Sequence, residues 1–125
     1  MVTVNTENYD LDALLAGETL LAFPDVAEQL NVPVTKVHDY VNAGKLLSWK
    51  KEGKKVVPAA LLDVDGGLSK FISGAITVLL DGGFTQDEIL GYLFTPDDSL
   101  PGRPIDALHG HGAREVIRRA QAMAF

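Results

Sequence analysis

FPDVAEQLNVPVTKVHDYVNAGKLLSWKKEGKKVVP, residues Phe23–Pro58, is the stretch that decides how this chain folds. Pro24 suits the first position of a helix, where its missing N–H is harmless. Val26, Ala27 and Leu30 then fall on one stripe of a helix about two turns long. Asn31-Val32 makes a turn, and Pro33 opens a second helix, residues 33–43, with Val34, Val37, Tyr40 and Val41 inward and Gly44 as its stop. Two short helices joined by a tight turn read as a helix-turn-helix. Beyond it, Leu46-Leu47-Ser48-Trp49 and Val56-Val57 are strand-like around a Glu52-Gly53 turn, and Pro58 ends the second strand. Helix, turn, helix and hairpin in this order make a winged helix-turn-helix, with Lys50, Lys51, Lys54 and Lys55 flanking the wing tip.

Working outward, Thr19–Ala22 is a short apolar run that suits a strand or a connecting loop. Asp10 is placed to cap a short helix over Leu11–Ala16, ended by Gly17, and Met1–Asn8 has no hydrophobic period. On the other side Ala59–Leu62 reads as a brief helical turn and Asp63–Gly67 as a linker. From there the period is helical. Leu68, Phe71, Ile72, Ala75, Val78 and Leu79 form one wide apolar face. Thr85-Gln86-Asp87-Glu88 matches a capping box, with Phe84 and Ile89 placed as a hydrophobic staple. Its helix stops at Thr95-Pro96. Pro104 opens another short helix, and the last, about Ala113–Ala124, turns Val116, Ile117, Ala120 and Met123 inward and its three arginines outward. The expected fold class is mainly α with a small β-hairpin wing. The chain divides into an acidic tail with a short helix (1–18), the winged helix-turn-helix (19–63) and a C-terminal helical domain (64–125).

A length of 125 residues, 46% of them hydrophobic, suits one compact domain or two small modules sharing a core. No apolar run approaches the ~20 residues that span a bilayer, and the polar, acidic N-terminus is unlike a signal peptide. Without cysteine there is no disulfide framework, thiol chemistry or cysteine-based zinc site. A cytoplasmic location is expected. The charge is uneven: −6 over residues 1–35, +4 over 36–55, −6 over 56–113 and +2 over 114–125, for a formal total of −6. An acidic chain that gathers its lysines in one short block has a surface suited to an anion.

Duplex DNA is the anion that fits a helix-turn-helix. Lysines on a wing neutralise phosphate and displace counterions, while the second helix lies in the major groove with its N-terminal residues on base edges. The expected contacts are Thr35, Lys36, His38, Asn42 and Lys45 from that helix and its end, and Lys50, Lys51, Lys54 and Lys55 from the wing. Asp39 opposes phosphate but accepts from a cytosine amino group. Trp49 suits core support at the base of the wing. The same lysines also suit a solvated hairpin that protects sheet edges. Arg114 and Arg118 share an exposed stripe with Gln121, fitted to a protein partner or to flanking phosphate, although cations near a helix C-terminus need no function. Asp106, His109 and His111 form D-x-x-H-x-H, short of the three or four ligands zinc needs, so no metal is expected. Asp63-Val64-Asp65-Gly66 lacks the later ligands of a calcium loop. No phosphate-loop, dinucleotide or hydrolase motif is present and no acid/base pair stands out, so neither catalysis nor a cofactor is expected. Thr6, in the acidic N-terminal segment, is a candidate site for a Ser/Thr kinase, whose phosphate would loosen DNA binding.

The segment LLAFPDVAEQLNVPVTKVHDYVNAGKLLSWKKEGKKVVP resembles the excisionase and MerR-type winged helix-turn-helix. The match lies at Val26-Ala27, Leu30, Val32, Val37, Val41, Gly44, Leu46, Gly53 and Pro58. LNVPVTKV, LFTPDDSL and RPIDALHGHGAREVIRRAQAMAF are similar to a small actinobacterial winged-helix DNA-binding family, over roughly Leu20 to Phe125. That resemblance implies a regulatory, non-catalytic DNA-binding protein. The C-terminal half, through DGGFTQDEILGYLFTPDDSLPGRPIDAL and GAREVIRRA, also resembles the toxin-binding domain of Xre/ParS-type antitoxins, which implies a homodimer or protein-partner role for the C-terminal helices. Two positions depart from these patterns: Ala22-Phe23 stands where a Ser or Thr helix cap is usual, and Tyr92 where a tryptophan is typical.

Overall fold

Three short strands and seven helices make up the structure, a computed structural model that describes residues 10–63 and 65–125. Thr6 lies outside the described residues. In chain order the elements are α1 (Leu11–Leu14), β1 (Leu20–Ala22), α2 (Phe23–Leu30), α3 (Val34–Asn42), β2 (Trp49–Lys51), β3 (Lys54–Pro58), a 3-10 turn (Ala59–Leu61), α4 (Lys70–Asp81), α5 (Gln86–Phe94), α6 (Pro104–Leu108) and α7 (Ala113–Ala124). The strands form one antiparallel sheet in the order β1-β3-β2. The architecture is a winged helix-turn-helix followed by a helical C-terminal half.

The ambiguous run before α2 is a strand: Leu20 pairs with Pro58 and Leu21 with Val57. The expected strand over Leu46–Trp49 begins only at Trp49. Leu46 and Leu47 are both buried, at 1% and 0% exposed, which the alternation of a half-exposed strand does not allow. They plug the core instead. At the start of α2, Ala22 makes no side-chain cap, so the missing Ser or Thr is not replaced.

In the C-terminal half the capping box forms in full. The Thr85 hydroxyl accepts from the Glu88 N–H, and the Glu88 carboxylate accepts from the Thr85 N–H. Helix α4 buries Ile72, Ala75, Ile76 and Leu79, the i, i+3, i+4, i+7 stripe. Phe71 does not join it and is 45% exposed. At 100° per residue it sits about a quarter-turn away from that stripe. Helices α4 and α7 lie side by side and run the same way, since Gly74 faces Ile117 and Gly82 faces Ala124. A single cluster of buried side chains, from Leu11 and Val26 through Leu47 and Val57 to Phe94 and Ala120, joins both halves.

Candidate nucleic-acid interface

The turn between α2 and α3 rests on Asn31, which adopts the left-handed conformation at φ 57° and ψ 48°. Asparagine tolerates that region better than most residues. Val37 is the buried anchor of α3. Thr35, Lys36, His38, Asp39 and Asn42 are all exposed, as the sequence pattern requires. Two of them are also held locally: the Lys36 ammonium lies 5.5 Å from the centre of the Tyr40 ring, and His38 meets the Phe23 ring edge-on at 4.7 Å. Val34, expected inward, is 37% exposed. It belongs to the apolar stripe by angle, but as the first residue of α3 it is only partly covered.

In the wing, Glu52 and Gly53 have φ values of 52° and 81°. A two-residue hairpin loop of the type I′ form needs both positive. That loop fixes the register, and the register sets Lys51 opposite Lys54 and Lys50 opposite Lys55. Like charges directly opposite each other across a strand pair destabilise it. Lys50, Lys54 and Lys55 are exposed, whereas Lys51 is half-buried with its ammonium 5.7 Å from the centre of the Trp49 ring. Trp49 itself is buried and supports the wing from the core.

Between α3 and the wing the chain is held from the C-terminal half. Thr77 donates its hydroxyl to the Gly44 carbonyl (2.9 Å), and Ser73 donates to the Lys45 carbonyl (2.8 Å). The Ser48 N–H donates to the Gln86 side-chain oxygen at 2.9 Å. Gly44 is constrained twice. Its φ is +77°, and a Cβ there would come within 3.0 Å of Leu80. Ser73, Thr77 and Gln86 were not singled out from sequence. The signal was present for two of them: Ser73 and Thr77 place hydroxyls at i, i+4 on a mostly apolar helix.

The remaining candidates fall elsewhere. Arg114 is exposed on α7. Arg118 is exposed but bonds Glu115 at 2.6 Å. Arg119, expected on the surface, is half-buried and donates to Glu115 and to the Ser99 hydroxyl. It is one turn beyond Glu115 and faces the 95–103 connection. The Glu115 carboxyl is held down to about 2, chiefly by the Arg118 guanidinium and then by Arg119. Asp106 and His109 are engaged structurally. Asp106 takes a two-point contact from Arg103, which lowers its pKa, and His109 Nε2–H donates to the Ala60 carbonyl. Arg103 also pairs with Glu18 at 2.9 Å, tying the segment after α1 to α6. Among the described residues no group of three His, Cys, Asp or Glu is arranged to hold a metal ion, and no helix is long and apolar enough to cross a membrane.

Helix-turn-helix, three-stranded sheet and basic hairpin together define a winged helix-turn-helix protein. The comparisons with known proteins narrow the class. Residues 8–62 match the family model described as "DNA-binding protein Rv2175c, wHTH domain", and residues 70–124 match "Rv2175c C-terminal domain of unknown function". The chain is 42% identical over 126 residues to the DNA-binding protein Rv2175c of Mycobacterium tuberculosis (strain ATCC 25618 / H37Rv), covering 91% of this chain and 86% of that one. The NMR structure of Rv2175c superposes with a TM-score of 0.80 at 42% identity, over 87% of this chain and 83% of that one. This chain belongs to the Rv2175c family. The finer likenesses to excisionases, MerR-type proteins and Xre/ParS antitoxins rest on sequence pattern alone.

Proposed function

We propose that this protein binds double-stranded DNA without catalysis and acts as a transcriptional regulator. The wing carries the argument. Its register holds Lys50 against Lys55 and Lys51 against Lys54, an arrangement unfavourable in the free protein and offset when a polyanion lies across it. The adjoining α3 enters the major groove in this reading, with Asn42 on a base edge and Lys36 and Thr35 on a base or phosphate. His38, braced on Phe23, sits beside them, and Lys45 meets phosphate at the helix end. The half-exposed Val34, missed as a contact by sequence reasoning, offers its methyl groups to a thymine methyl. The relative's own description as a DNA-binding protein supports the same reading.

The test is to recover and sequence genomic fragments retained by the wild-type protein, then titrate the enriched duplex. Asn42→Ala is expected to relax the preference for that duplex by about 1–3 kcal/mol while leaving the affinity for unrelated DNA nearly unchanged. Absence of any retained fragment, or equal loss on all sequences, removes α3 from base recognition.

A further inference from the structure

Helices α4 and α7 leave an open groove of about 290 Å³ between them, bordered by Lys70, Phe71, Gly74, Arg114, Ile117 and Arg118. Its floor is apolar and its rim cationic. Phe71 is 45% exposed, one of the few large hydrophobic side chains to be so. Among the described residues neither Lys70 nor Arg114 has a carboxylate within ion-pair distance, and only Arg118 on this rim is paired, with Glu115.

Gly74 is the more telling residue. Glycine in the middle of a helix is destabilising relative to alanine, and packing does not require it here. A Cβ at this position would meet only the Ile117 Cδ1, at 3.8 Å, which is ordinary contact. What glycine does is keep the floor of the groove clear.

We infer that this groove is a docking site for an acidic segment of another protein, which sets apolar side chains over Phe71, Gly74 and Ile117 and carboxylates on Lys70, Arg114 and Arg118. The volume falls just below the ~300–1,000 Å³ typical of small-molecule pockets, a size for side chains in preference to a cofactor. A second copy meeting this groove across a two-fold axis would place the three cations against the same three cations. A duplex has no use for the apolar floor. The groove also lies about a quarter-turn around α4 from Ser73 and Thr77, the residues that hold the end of α3.

A display library of random short peptides panned on the wild-type protein tests this. The enriched peptides are expected to combine Asp or Glu with aromatic or aliphatic residues. Their binding should weaken about tenfold or more in Lys70→Glu/Arg114→Glu, and also in Gly74→Leu, which fills the floor. Should Gly74→Leu fail to fold, the charge reversal carries the test, its thermal melt compared with wild type. Duplex affinity, measured separately, separates this inference from the DNA-binding reading. Enrichment of basic or uncharged peptides, no enrichment over a blank surface, or binding undiminished by the charge reversal overturns the proposal. So does a titration in which duplex, and not peptide, shifts the amide resonances of Lys70–Gly74 and Arg114–Arg118, since that would make the face a phosphate contact.

Discussion

Replacing Lys50, Lys54 and Lys55 with glutamine separates a wing that binds DNA from one that merely keeps a hairpin soluble. Five lysines of the candidate surface are exposed: Lys36, Lys45, Lys50, Lys54 and Lys55. If each neutralises one phosphate, log affinity falls with log salt at a slope of about −4.5, a loss of roughly 500-fold between about 50 and 200 mM salt. The triple variant keeps two of the five, so its slope drops to about −1.8 and the same salt step loses only roughly 12-fold. In the free protein the effect has the opposite sign. Both like-charge pairs, Lys50–Lys55 and Lys51–Lys54, are removed, and the hairpin gains about 0.2–1 kcal/mol per pair. Fluorescence anisotropy across a salt series, with a thermal melt of the unbound variant, measures both. Weaker, less salt-sensitive binding together with an unchanged or higher melting temperature is expected. A slope that stays at the wild-type value would refute the reasoning, because the wing would then be touching no phosphate.

Two further outcomes follow from contacts outside the wing. Thr77→Val removes the hydroxyl that caps the Gly44 carbonyl, with an expected loss of about 0.5–1.5 kcal/mol in chemical denaturation and a measurable weakening of duplex binding through the loosened end of α3; an unchanged duplex affinity would confine the contact to stability. On acidification the ion pairs of α7 should give way. The Glu115 carboxyl is depressed from 4.5 to about 2 in the folded state by Arg118 and Arg119, so its contribution is complete above pH 4.5 and lost as pH falls from there through 2. Asp97, lowered by the Ser99 hydroxyl and N–H, and Asp106, lowered by Arg103, act in the same direction. Melts from pH 7 to pH 2.5 should show Glu115→Gln losing less of its stability than wild type, and parallel curves would contradict the assignment.

Much of the fold was legible because local rules agreed with one another. The α7 stripe has a clean helical period, and its limits, Ala113–Ala124, match the structure. The capping box at Thr85 and Glu88 is written in four residues and forms as written. The wing register follows from Glu52-Gly53 alone, since a two-residue loop leaves a single way to pair the lysines. Periodicity was weaker on exposure. It assigns Val34 and Phe71 to apolar stripes but does not say how far the neighbouring helix reaches over them, and both are left partly in solvent. In the contacts between halves, the Ser73 and Thr77 hydroxyls stood out on an apolar helix but their partners were not legible. Thr77 and Gly44 are 33 residues apart and Ser48 and Gln86 are 38 apart, distances over which no local pattern carries information.

Those long-range contacts bear on how the candidate interface is specified. Six residues, Ala43 to Ser48, link the end of α3 to the first wing strand. Within them Gly44 and Lys45 are held by α4, Leu46 and Leu47 are buried, and Ser48 is held by α5. A link of this length with its polar groups free would let helix and wing move against each other, because each unfixed residue retains about 1–2 kcal/mol of backbone entropy. Each of the three hydrogen bonds offsets about 0.5–1.5 kcal/mol of that, and the two leucines add their burial. The Gly44 and Lys45 N–H groups also bond back to the Val41 and Tyr40 carbonyls of α3, so the angle between α3 and the wing is restrained by α4 and α5 together with the helix-turn-helix itself. That gives the C-terminal half a role in the proposed DNA recognition even though none of its residues needs to touch a base.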